Sequence, residues 1–165
     1  MSETYVHGYH PRENERLQDQ AGALVELLHS DTSYPSGSVV LEAGCGIGAQ
    51  TVTLARRNPG ARFRSVDVSA DSLAEAKRAT DAAGLTNVRF QQADIFALPF
   101  DSEFFDHIFV CFVLEHLTRP VEALTILSRL RAFDAGVRDL YRTAEADGVF
   151  CYTFFKGVGQ KADGA

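Results

Sequence analysis

The chain has 165 residues, of which 45% are hydrophobic and 23% charged, and its formal net charge is -6. That length suits one well-buried domain rather than two with separate cores, and no apolar run approaches the roughly 20 residues that a membrane helix needs. An acidic balance with scattered Lys and Arg argues against a surface built to neutralise many phosphates, so a nucleic-acid partner is not expected.

The N-terminal residues, with Glu3, His7 and His10, lack the basic and apolar regions of a signal peptide, so a cytoplasmic location is expected. Cys45, Cys111 and Cys151 are odd in number and far apart, which fits reduced, packed thiols better than a disulfide framework or a zinc site. His7 and His10 have no accompanying carboxylate or Cys cluster, so no metal site is expected.

In chain order, the first expected element is a helix from about Pro11 to His29, with Leu17, Ala21, Leu24 and Leu28 on one face. A turn at Tyr34-Pro35-Ser36-Gly37 leads to a strand over Ser38 to Glu42, whose continuous apolar core suggests burial on both faces. A glycine-rich turn and a helix from about Gly48 to Arg57 follow, ended by Asn58-Pro59-Gly60. Arg62 to Asp67 reads as the second strand. Ser69 is suited to cap the next helix, with Asp71 in its first turn, an inward stripe of Leu73, Ala76, Ala79 and Ala83, and Gly84 past its end.

Asn87 to Gln92 is the third expected strand and Phe105 to Val113 the fourth, the latter almost wholly apolar after His107. Val121, Leu124, Leu127 and Leu130 mark a helix from Pro120, and Val137, Leu140 and Tyr141 continue a helical pattern toward Asp147. Gly148 ends it. Val149 to Phe155 reads as a last strand, followed by a disordered tail over 157–165. The whole is expected to be a single domain over 1–165, with the N-terminal helix of 1–30 lying over the site.

Strands 1 and 4 look buried on both faces, whereas strands 2 and 3 alternate like peripheral strands; this pattern predicts the order 3-2-1-4. Alternating strands and helices imply parallel pairing with right-handed crossovers. The fold class is therefore α/β, a doubly wound and mostly parallel sheet whose crevice opens at the carboxyl ends of its strands.

Glu42-Ala43-Gly44-Cys45-Gly46-Ile47-Gly48 joins the first strand to its helix. Glycines there allow a tight turn and close approach of a ligand to the backbone and helix N-terminus. Gly44, Gly46 and Ala49 also satisfy the G-x-G-x-x-G/A pattern of nicotinamide dinucleotide binders, so the loop by itself does not choose a cofactor. Glu42 helps to choose, because an acid ending a buried strand disfavours a pyrophosphate and suits a ligand carrying positive charge. Its alternative role is to tie down neighbouring backbone. Asp67 is placed to accept from a ribose diol, and Asp94 is placed to hold an adenine amino group; each is also an ordinary turn residue type.

With Val66-Asp67-Val68-Ser69, Ala93-Asp94-Ile95, Leu98-Pro99-Phe100, Phe105-Asp106 and Val113-Leu114-Glu115-His116-Leu117, this loop resembles the class I S-adenosylmethionine-dependent methyltransferases, near the group acting on small molecules. The resemblance runs from about Tyr9 to Leu130 and implies a Rossmann-like fold with S-adenosylmethionine as cofactor. It places Gly44, Cys45 and Gly46 along the methionine part, Asp67 and Val68 at the ribose and adenine, Asp94 and Ile95 at the adenine, and Cys111 and Phe112 on the floor near the sulfonium. Phe112, Tyr5 or Tyr9 would offer a ring face to the cation. His116 and Tyr9 are the candidates for proton removal from an acceptor.

The sequence departs from the family after Leu130, where Arg131-Ala132-Phe133 leads directly into Asp134 to Asp147. A Lys-Pro-Gly-Gly turn, a fifth strand, a helix and a sixth strand are absent from the pattern. About five strands are then expected instead of seven; one long helix over Pro120 to Asp147 would make the last strand parallel to strand 4, and a break near Phe133-Asp134, favoured by a capping Asp134 and by Gly136, would make it antiparallel. Uncovered sheet surface would favour a homo-oligomer. Besides methyl transfer to a small molecule, the open alternatives are a module that binds S-adenosylmethionine without turnover and an NAD-dependent oxidoreductase.

Overall fold

The computed structural model describes Val25, His29 and residues 32–130. Within them run β1 (Val39–Ala43), α1 (Ala49–Arg57), β2 (Arg62–Asp67), α2 (Ala70–Ala82), β3 (Val88–Gln92), β4 (His107–Val110), a 3₁₀ turn (Leu114–His116) and α3 (Pro120–Leu130). Val25 and His29 are helical, as expected. The rest of the Pro11–His29 helix, the segment from Asp134 to Asp147, the strand over Val149–Phe155, the 157–165 tail, Tyr5 and Tyr9 lie outside the described residues.

The sheet has the order β3-β2-β1-β4, and all three pairings are parallel. This is the expected doubly wound topology. The β1 register places Glu42 beside Ser65 on one side and Phe109 on the other, so polar and aromatic groups meet at the centre of an otherwise apolar sheet.

Strand alternation divides the core between two faces. Val40 and Phe63 pack with Leu54, Ala55 and Ala61 on the α1 face. Leu41, Ala43 and Val66 pack with Phe105, Leu127 and Leu130 on the α3 face. Each cluster draws on β1 and β2, which makes these strands the common wall of both layers.

Burial departs from expectation at three places. All four β4 residues are half-buried, because β4 ends the sheet among the described residues and has only β1 beside it. β2, read as peripheral, buries Ser65 and Val66 on opposite faces. On α2 the buried residues are Ser72, Leu73, Ala76 and Thr80 instead of the full alanine stripe, Ala79 and Ala83 being half-buried. Thr80 enters the interior because its hydroxyl donates to the Ala76 and Lys77 carbonyls, at 3.1 and 2.9 Å.

Strand ends are set by specific polar contacts. Asp106 and Val39 clamp the start of the β1–β4 pair: Val39 N donates to Asp106 Oδ2 at 2.8 Å, and Asp106 N donates to the Val39 carbonyl at 2.9 Å. β4 stops well short of the Val113 expected, since Phe112 has φ 55° and breaks extended geometry. Ser69 caps α2 by accepting from Ser72 N at 3.2 Å, and Gly84 follows its C-terminus with φ 68°.

Two glycines carry different constraints. Gly48 has φ 83°, and a Cβ there would lie 2.9 Å from Cα and Cβ of Ala76, so the loop can approach α2 only without a side chain. Gly46 has φ 52° and open space around its missing Cβ. Gly48→Ala is therefore expected to destabilise the protein by roughly 2 to 4 kcal/mol, the sum of left-handed strain and overpacking. Gly46→Ala should cost only about 1 to 2 kcal/mol. Equilibrium denaturation of both variants checks the difference.

Candidate cofactor-binding site

The site is assembled at the carboxyl ends of the strands, where β1 opens into the glycine loop. Gly44 N and Cys45 N both donate to the Val66 carbonyl at 2.9 Å, which pins the loop's entry to β2. Gly46 N donates to Asp67 Oδ2 at 2.8 Å, while Ser69 N donates to Oδ1 at 2.9 Å. Asp67 is thus held between the two loops that follow β1 and β2. A carboxylate has about four acceptor positions, so these two bonds leave capacity for a ligand's hydroxyls.

Glu42 lies deeper, with 2% of its surface exposed. Its Oε2 accepts from Thr51 Oγ1 at 2.8 Å and from Ser65 Oγ at 2.6 Å. Thr51 comes from the first turns of α1 and Ser65 from β2, so three elements share one carboxyl group. Burial pushes the Glu42 carboxyl up from 4.5 to about 7; the two hydroxyls oppose that rise, and the Asp67 charge adds to it.

Cys45 is buried, and burial together with the Glu42 and Asp67 charges drives its thiol far upward. Burial, helped by Glu115 and Glu42, pushes the Cys111 thiol up to about 12. Both are thiols, not thiolates, at neutral pH, which suits lining groups and not nucleophiles. Glu42 is the one carboxyl that acts on both thiols, in keeping with its place on β1 between β2 and β4.

The loop after β4 closes against the glycine loop. A Cβ at Gly44 would fall 2.4 Å from Val113 Cγ2, so the Val113 side chain occupies the place that any larger residue at 44 would need. Phe112, just before it, carries the left-handed φ that turns the chain there. Across the opening, the Arg119 guanidinium sits 4.6 Å from the Phe96 ring centroid and 2.7 Å from Glu122 Oε2, joining the β3 and β4 loops.

Direct hydrogen bonds bring Gly46 and Asp67 together, and Glu42 joins them through Ser65, two residues before Asp67. Asp94 stands beyond the end of β3, but it is exposed and its Oδ1 accepts from Phe96 N at 2.9 Å, forming its own turn. Ile95 packs against the α3-side core, and Val68 is 51% exposed. His116 is buried in the 3₁₀ turn, its Nε2 3.8 Å from Glu115 Oε1. No cluster of three or more metal-ligating side chains occurs among the described residues, nor any helix long and apolar enough to cross a membrane.

Thr51, Ser65 and Val113 were not singled out by sequence reasoning. A hydroxyl residue in the buried register of β2, opposite Glu42, is the signal that identifies Ser65. Thr51 has a weaker signal, its position one helical turn past the glycine loop. Nothing in the sequence marks Val113 beyond its place in the motif after β4.

A parallel sheet with an acid at the tip of β1, an acid at the tip of β2 and a bare loop between them defines a nucleoside-cofactor fold of the methyltransferase type. The methyltransferase domain family matches residues 40–134, and the chain belongs to that family, the class I S-adenosylmethionine-dependent methyltransferases. It is 39% identical over 79 residues to a release factor glutamine methyltransferase of Chlorobaculum tepidum, covering 47% of this chain and 27% of that one. It is 36% identical over 93 residues to demethylmenaquinone methyltransferase of Thermus thermophilus, covering 56% and 42%. Coclaurine N-methyltransferase bound to N-methylheliamine and SAH superposes with a TM-score of 0.57 at 26% identity, covering 68% of this chain and 32% of that one. The chain thus spans less than half the length of these relatives.

The carboxyl of Glu42 sets a pH dependence on stability. Between 4.5 and about 7 the native state keeps a proton that the unfolded chain has released. Stability contributed by the protonated form is therefore full below that window and is lost as pH rises through it. Glu42→Gln removes this slope. The stability difference between variant and wild type should move by roughly 1 to 3 kcal/mol in the variant's favour from about pH 5 to about pH 8, read by denaturant unfolding at each pH.

Proposed function

We propose that the hollow binds S-adenosylmethionine and that the protein transfers its methyl group to a small-molecule acceptor. The observation that carries this reading is the buried Glu42 carboxyl, held by Thr51 and Ser65 beside an open glycine loop. An acid in that place is mismatched to a pyrophosphate and matched to an amino group. The space left at Gly46 lets a ligand lie against the backbone, and Asp67 stands beside it for a ribose. NAD-dependent oxidoreduction is disfavoured on the same charge argument.

In this reading Glu42 orients the ammonium end, Gly44, Cys45 and Gly46 line the methionine part, Asp67 and Val68 take the ribose and adenine edge, and Asp94 and Ile95 border the adenine. Cys111 and Phe112 form the floor. The bound cofactor supplies an electrophilic methyl on a sulfonium with a good neutral leaving group. What the protein adds is alignment of acceptor and methyl, which supplies much of the acceleration in such displacements. His116 and Tyr9 are the candidates to receive an acceptor's proton.

Small-molecule acceptors are supported by the demethylmenaquinone and coclaurine relatives, while the release factor relative acts, by its name, on a protein glutamine. A second reading, cofactor binding without turnover, draws on the departure from the family pattern after Leu130. A cytoplasmic location and assembly into a homo-oligomer complete the proposal.

Transfer of labelled methyl to a metabolite panel separates the two readings: a labelled small product supports catalysis, and binding without any labelled product supports the second. Asp67→Ala should weaken S-adenosylmethionine binding by roughly 1 to 3 kcal/mol, the scale of lost charged hydrogen bonds. Unchanged affinity in calorimetry would remove Asp67 from the site.

A further inference from the structure

The two oxygens of the Glu42 carboxyl are used unequally. Oε2 accepts from Thr51 Oγ1 at 2.8 Å and from Ser65 Oγ at 2.6 Å, whereas Oε1 accepts no hydrogen bond among the described residues. A polar atom sealed in the interior without a partner is costly. Oε1 is not in that condition: it keeps contact with solvent, although the residue as a whole is 2% exposed. A carboxylate has about four acceptor positions, so those on Oε1 are open to the N–H donors of a ligand.

Asp67 is oriented differently, by the backbone N–H groups of Gly46 and Ser69. Glu42 is oriented by side-chain hydroxyls, and both donors are completely buried. They arrive from different elements, Thr51 from α1 and Ser65 from the neighbouring register position in β2, so the carboxyl is restrained from two sides. The titratable groups that face it are Asp67 from β2, Cys45 from the glycine loop and Cys111 beyond β4. His29 stacks on Phe109, the β4 neighbour of Glu42, with its Nε2 2.6 Å from Gln50 Oε1. The basic residues of α1, Arg56 and Arg57, stand in its last turn, away from Thr51.

We propose that Thr51 and Ser65 are the positioning residues of ammonium recognition: by occupying Oε2 as a pair they present Oε1 to the amino group of an adenosyl ligand, and so make the site select ligands that carry an amino-acid tail over those that lack one. This inference rests on the reading of the hollow as a site for S-adenosylmethionine. Hydrogen bonds to an ionised carboxylate are about twice as strong as those to a neutral carboxyl, so the two hydroxyls favour the charged form that a cation needs. Burial works against them, and the balance between the two leaves the group at about 7. Losing either hydroxyl tilts that balance toward the protonated form, which repels nothing but no longer attracts an ammonium group.

The test is calorimetric titration of the full chain with two ligands, S-adenosylhomocysteine and methylthioadenosine, the second being an adenosyl thioether without the amino-acid tail. Wild type, Ser65→Ala, Thr51→Val and Thr51→Ser are compared at about pH 6.5 and about pH 8. The wild type should prefer S-adenosylhomocysteine. Ser65→Ala and Thr51→Val should each weaken that ligand about tenfold at the lower pH, the scale of a lost hydrogen bond to a charged group, and by less at the higher pH, where the carboxyl ionises without help. Methylthioadenosine affinity should stay within about twofold of wild type in both, which a general loss of structure would not allow, and Thr51→Ser, which keeps the hydroxyl, should bind both ligands like the wild type. Equal weakening of the two ligands, a loss that does not shrink with rising pH, or unchanged S-adenosylhomocysteine affinity overturns the positioning role while leaving the cofactor reading intact. A wild type that binds neither ligand overturns the cofactor reading, and this inference with it.

Discussion

A carboxyl group buried between β1, β2 and α1 is the constraint around which the rest of this molecule is arranged. Taking Glu42 out of water costs several kcal/mol if it is charged and unpartnered, and no cation among the described residues neutralises it. The fold answers with two hydroxyls, Thr51 and Ser65, on one oxygen. These hydrogen bonds fall short of offsetting burial, so the carboxyl is pushed up to about 7. A core that needed only stability would place an apolar residue at this position.

The surrounding geometry follows from keeping that group in register with the glycine loop. Gly44 and Cys45 bond the Val66 carbonyl, Gly46 bonds Asp67, and Gly48 lets the start of α1 close on α2 at Ala76. The loop is therefore held on both sides while its outer surface at Gly46 stays clear. On the β4 side Val113 presses on Gly44 and Phe112 takes a left-handed conformation, a cost of roughly 1 to 2 kcal/mol that packing must support. Strain and an under-neutralised acid in one hollow are the pattern expected where stability yields to ligand binding.

Most of this frame could be read from the residues in order. The apolar runs, the Asn58-Pro59-Gly60 stop, the Ser69 cap and Gly84 located the described elements through β3 within one or two residues, the end of β4 was missed by three, and the contrast among strands gave the order β3-β2-β1-β4. The basis of that contrast was partly different in the fold, since β4 is only half-buried and β2 is more buried than its alternation suggested. Hydropathy along a strand records residue type, whereas burial also depends on what lies beside the strand. Glu42 and Asp67 were legible because strand tips and loop glycines fix their positions. Thr51 and Ser65 were not, because their role depends on register across three elements. Asp94 illustrates the remaining ambiguity: its place at the end of β3 was foreseen, but its carboxylate is engaged in its own turn.

The central claim is that the acidic hollow exists to receive positive charge. Calorimetric titration of the full chain with S-adenosylmethionine at about pH 6, in buffers of different ionisation enthalpy, tests it most directly, since Glu42 is largely protonated there and must ionise to meet an ammonium group. The account predicts saturable binding with release of nearly one proton, declining toward none at about pH 8.5. Absence of binding, or binding with no proton released at either pH, would contradict it.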